Sequence, residues 1–132
     1  MSDYILLAGR ILYSLPLIMM GSFHFLNFNG MAAFAGGKGL PLPGVSVIVS
    51  GLALIVGAVM ILVGFRGKIG AWMVAGFLLA TAFLMHNFWG IADQMQAQTE
   101  MGNFLRNIIM CGAALMITQT GTGPYSVDNL NR

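Results

Sequence analysis

A chain of 132 residues with 58% hydrophobic and 8% charged side chains lies far from the roughly 25% charge of a soluble domain. Its mean hydropathy of +0.83 fits three or four membrane spans of about 20 residues each. Six Lys and Arg against four Asp and Glu give a net charge of +2; the basic residues are scattered, which excludes a nucleic-acid surface and leaves them to set topology. One cysteine, Cys111, excludes an intrachain disulfide and a CxxC redox pair.

Four spans are predicted in chain order. The first runs from about Tyr4 to Leu26, the second from Val45 to Phe65, the third from Ile69 to Ile91 and the fourth from Gly102 to Thr120. The expected fold is all-α, an integral membrane antiparallel four-helix bundle forming a single domain over residues 1–132. Ala33-Phe34-Ala35 also fits a signal-peptidase site. However, no basic residue precedes the apolar run, which exceeds the usual h-region of about 7–15 residues, so the first segment reads as a retained span. Asn27 to Gly44 is the longest connection. Its Gly36-Gly37-Lys38-Gly39-Leu40-Pro41-Leu42-Pro43-Gly44 stretch breaks helix and favours turns, with at most an interfacial turn over Met31 to Ala35. Arg66-Gly67-Lys68 joins the second and third spans into a tight hairpin. Small residues four apart (Ser46 and Ser50, Ala53 and Gly57, Ala71 and Ala75, Gly76 and Ala80) offer faces for close helix approach. The eleven methionines contain no Met-x-x-Met repeat and read as packing.

Arg10, Arg66, Lys68 and Arg132 fall on one side of this topology, against Lys38 and Arg106 on the other. The positive-inside rule then places both termini in the cytoplasm of a multi-pass protein of the cell inner (plasma) membrane.

His86-Asn87-Phe88-Trp89, Asp93, Gln96, Gln98 and Phe104-Leu105-Arg106-Asn107 concentrate polar chemistry between the last two spans, where uncompensated polar groups are costly. If the third helix continues past the membrane, His86, Trp89 and Asp93 share one face. Asp93 and Arg106 are the opposite charges available to pair there. His24, near the outer end of the first span, is expected at a depth similar to His86. These two histidines could ligate haem between helices, or share a metal with Asp93; hydrogen-bonded structural histidines are favoured and no metal ligand is assigned. Phe88 and Trp89 also suit an interfacial aromatic belt, and Arg106 also reads as snorkelling to headgroups. At the opposite end, Arg10 lies about two turns inside the first span and is expected to pair with Asp128 of the tail.

At these residues the chain resembles the DoxX family of small four-helix membrane proteins. The likeness runs through Arg10 and Gly21, the Gly39-Leu40-Pro41 turn, His86-x-Phe88-Trp89, Asp93, Gln96, Phe104-Leu105-Arg106-Asn107 and Gly121-x-Gly123-Pro124 with Ser126-x-Asp128. It covers nearly the whole chain. Gln94 stands where relatives often have Pro, and Arg106 where Lys is frequent. The resemblance implies a redox connection, because the family takes its name from likeness to a subunit of a thiosulfate:quinone oxidoreductase.

Two function classes follow. In the first, the protein is an accessory or subunit of a quinone- or sulfur-linked redox complex. His86 and Asp93 then handle protons as the catalytic pair, and His24, Trp89, Arg106 and Asn107 bind the ligand. The partners are the lipid bilayer and other membrane or redox proteins, and quinone is the cofactor considered. No haem-attachment motif or nucleotide fingerprint occurs, so electrons would come from a partner or a noncovalent cofactor. In the second, the protein is a non-catalytic scaffold or docking subunit. Proton-coupled transport is disfavoured, since Asp3, Asp93, Glu100 and Asp128 all lie at or beyond the span ends.

Overall fold

In a computed structural model, which describes residues 2–130, six helices follow one another: α1 (Ser2–Leu26), α2 (Phe28–Gly37), α3 (Pro43–Val63), α4 (Gly67–Met85), α5 (Gln94–Thr120) and the short α6 (Val127–Leu130). Arg132, counted in the charge bias above, lies outside the described residues. Helices α1, α3, α4 and α5 are long and apolar enough to cross a membrane. The chain is an integral membrane bundle built from these four.

Local chemistry sets the boundaries. Pro43 occupies the first turn of α3, where its missing N–H and fixed φ cost nothing. Gly64, in the left-handed region at φ +71°, ends α3 as glycine commonly does. Three residues later α4 begins, so the helices are antiparallel. Asp93 caps α5, accepting from the Met95 and Gln96 amides.

Packing runs α1 against α3, α3 against α4 and α4 against α5. Leu17, Leu54, Ile61, Val74 and Leu78 are fully buried between them, together with Ala58, Ala71 and Ala114. Closest approach occurs where side chains are missing. A Cβ on Gly57 would sit 2.9 Å from the Gly70 carbonyl oxygen, and one on Gly70 would sit 2.7 Å from the Gly57 oxygen. Such backbone contact is what small residues supply in lipid, where apolar burial gives little drive. Ala71 and Ala75 are buried as expected, but Gly76 and Ala80 are exposed and Gly76 meets nothing within 4 Å. Their spacing was that of a packing face, but neither is buried against a neighbouring helix.

Two elements differ from the sequence expectation. The connection after α1 carries a ten-residue helix, α2, where one interfacial turn was expected; it packs on α3. The third span stops at Met85 instead of Ile91. Four aromatic rings explain the break. Phe88 and Trp89 both lie edge-on to Phe104, with centroids at 5.5 and 5.8 Å, and Phe83 joins at 5.1 Å. Adjacent residues of a helix point about 100° apart, so bringing both rings onto one partner requires the chain to leave the helix.

Candidate functional site

A cavity of about 730 Å³ opens at the end of the bundle that carries His86. Its walls come from α1 (Met20, Phe23, His24), from α2 and the loop after it, from α3, and from α4, whose end delivers His86; Asn107 of α5 completes it. The lining is mostly apolar, and the size falls within the usual range of roughly 300–1,000 Å³ for a small-molecule site. A few polar groups converge on it: His24, His86, Asn107, Ser46, Ser50 and Thr81.

The hydrogen bonds of the histidines fix what they offer. His24 Nδ1 lies 3.1 Å from the Met20 carbonyl oxygen. A carbonyl only accepts, so Nδ1 carries the proton and Nε2 of the neutral ring is an acceptor. His24 is also braced edge-on by Phe77, at 5.8 Å between centroids, and by Gly51, where a Cβ would stand 2.8 Å from the His24 Cβ. His86 Nδ1 lies 2.7 Å from Glu100 Oε2, with both side chains mostly buried. That carboxylate orients the ring and directs its Nδ1–H, again leaving Nε2 free of this bond. Asn107 is only 4% exposed and lines the cavity. A polar side chain on a cavity wall is where a ligand group or water can bond. Lys38 reaches across the rim to donate to Asn87 Oδ1 at 3.0 Å, tying the loop after α2 to the segment after α4.

The residues picked from sequence are therefore divided. His24, His86 and Asn107 meet at one cavity. Asp93 does not join His86, because α4 ends before the shared face can form; its carboxylate is occupied as the α5 cap and is exposed. Arg106 is exposed and donates to Asn103 at 3.1 Å, one turn away, rather than to Asp93. Trp89 is 56% exposed in the aromatic cluster and does not line the cavity. The set of two histidines with Asp93 does not assemble, and among the described residues no three His, Cys, Asp or Glu side chains gather as metal ligands. Glu100 takes the place given to Asp93. Its signal was present: Glu100 and Asn107 are seven apart, on one face of α5.

At the other end Arg10 and Asp128 also find different partners. Arg10 is 7% exposed and donates to three tail carbonyls, those of Thr122 (2.7 Å), Pro124 (3.0 Å) and Tyr125 (2.7 Å). Asp128 accepts from the Arg66 and Gly67 amides, at 2.8 and 3.0 Å, so it caps α4. Carbonyls satisfy a guanidinium without the cost of burying a second charge, while free amides at a helix start attract the carboxylate.

The DoxX family profile matches residues 5–87, from the first span through His86 and Asn87. The chain belongs to the DoxX family. Two inner membrane proteins of Escherichia coli (strain K12) are similar to this DoxX protein over most of their lengths. YphA is 28% identical over 124 residues, covering 94% of this chain and 88% of its own. YqjF is 31% identical over 135 residues, covering 98% and 94% respectively. No solved structure matches.

Proposed function

We propose that this DoxX protein is an accessory subunit of a redox-linked complex, with its cavity holding the ring of a quinone. One observation carries the reading: an apolar cavity of about 730 Å³ receives two histidines, one of them bonded to a carboxylate at 2.7 Å. Quinone chemistry moves protons with electrons, and a His–Glu pair at the wall of an apolar site can accept and relay a proton. His24 and His86 offer ring nitrogens to the quinone oxygens or the quinol hydroxyls, and Asn107 offers an amide. The electrons pass to or from a partner protein. The names of YphA and YqjF, with the basic-residue bias, support an inner-membrane location with both termini cytoplasmic, so the cavity faces the outer leaflet.

The test is binding of a short-chain quinone to the purified protein in lipid nanodiscs, followed by native isolation of its complexes. His86→Ala and Glu100→Gln should each weaken binding about tenfold, near 1.4 kcal/mol, with thermal stability largely kept. Absence of binding by the unaltered protein would overturn the quinone reading. Full binding by both variants would remove the pair from the site and favour the scaffold reading.

A further inference from the structure

The antiparallel helices α3 and α4 touch backbone to backbone at Gly57 and Gly70. From there they run towards Pro43 and Met85, and residues of both helices line the cavity over that half. Ser46, Ser50 and Ala53 line it from α3, and Phe77, Ala80, Thr81 and Leu84 from α4. The lining grades outward. His24 and Phe77 are half-buried and Asn107 is buried, while Val45, Val49 and Leu84, which also line the cavity, are 55%, 60% and 54% exposed. These three belong to membrane-spanning helices, so the cavity is continuous with a surface that faces acyl chains. α2 and the loop after it also line the cavity, and the Lys38–Asn87 bond ties that loop to the segment after α4.

We infer that the gap between α3 and α4 is a lateral portal, through which a single-chain amphiphile enters from the bilayer. Its polar head reaches His24, His86 and Asn107, and its apolar chain lies between the two helices and trails into the lipid. The polarity gradient dictates this orientation. Reversal would place the head against Val49 and Leu84 and the chain against His24, His86 and Asn107, both costly. The inference rests on the quinone reading for the identity of the head and extends it by specifying a chain-bearing ligand and its route.

The experiment places an indole inside the cavity by Phe77→Trp, with Trp72→Phe and Trp89→Phe removing both native, exposed tryptophans. The protein is studied in nanodiscs with two quenchers, chain-brominated phospholipid and aqueous iodide. A lateral portal predicts that brominated chains quench most of the emission and that iodide quenches little. Ala80→Leu, a change at an exposed cavity-lining position, should block the gap and restore much of the emission. Quenching by iodide alone, or lipid quenching unchanged by both Ala80→Leu and Val49→Phe, overturns the portal. A decyl-chain quinone titrated into the same sample tests the other reading separately. Lipid quenching that the quinone does not displace keeps the portal and rejects the quinone; quinone binding with iodide-only access does the reverse.

Discussion

Arg10→Met is the substitution whose cost the structure defines best. Methionine keeps the length and helix propensity of arginine while removing all three bonds to Thr122, Pro124 and Tyr125. Each bond to a charged group contributes about 1.5–3 kcal/mol. A simple sum would overstate the loss, because the arginine also recovers its own burial cost and its Nε has no partner. Removing one side of a buried charged constellation costs about 3–5 kcal/mol. The lower end applies here, because the partners left behind are neutral. A loss of about 3 kcal/mol corresponds to more than a hundredfold in the folding equilibrium. Arg10→Lys should fall between, since an ammonium lacks the planar fork that spans three carbonyls. The assay is thermal unfolding in mild detergent, paired with limited proteolysis beyond Thr120, where the released tail should become cleavable. Unchanged stability with a protected tail in Arg10→Met would refute the carbonyl cage. The double exchange Arg10→Asp with Asp128→Arg should not restore stability, because neither residue bonds the other.

Asp128→Ala removes a cap shared by the Arg66 and Gly67 amides and should cost about 1 kcal/mol, read as a small shift of the melting temperature. Gly57→Val places a side chain against the Gly70 backbone; overpacking should cost about 1–3 kcal/mol or more, whereas Gly76→Ala, where the added Cβ meets nothing within 4 Å, should be neutral or stabilising in the same melt. Asp93→Ala should lower stability by about 1 kcal/mol through the lost cap and leave quinone binding intact, in contrast to Glu100→Gln. Equal binding defects in the two variants would return Asp93 to the site.

Much of the fold was readable because lipid makes the requirement simple: four apolar runs of sufficient length become four helices. His24, His86 and Asn107 were also readable, as polar groups that no lipid-facing position tolerates cheaply. What failed was partner choice. Asp93 and Arg106 form an obvious pair by charge, but amides of the next helix claim the carboxylate, which sequence order alone does not reveal. Arg10 likewise looked for a carboxylate, although main-chain carbonyls sufficed. The break at Met85 was hidden because four aromatic rings impose it, and Phe104 lies sixteen residues beyond Phe88. Glu100 was passed over because it lies beyond the fourth apolar run, where a carboxylate looks solvated.

The grip of Arg10 on the tail reaches across 112 to 115 residues of sequence. During synthesis the first helix is therefore made before the carbonyls that hold its guanidinium in the folded bundle. A chain stopped before Thr122 would leave that charge without its acceptors and Gly64 and Gly67 without the Thr122 and Ser126 they pack against. Closure of the bundle at this end thus waits for the segment after α5.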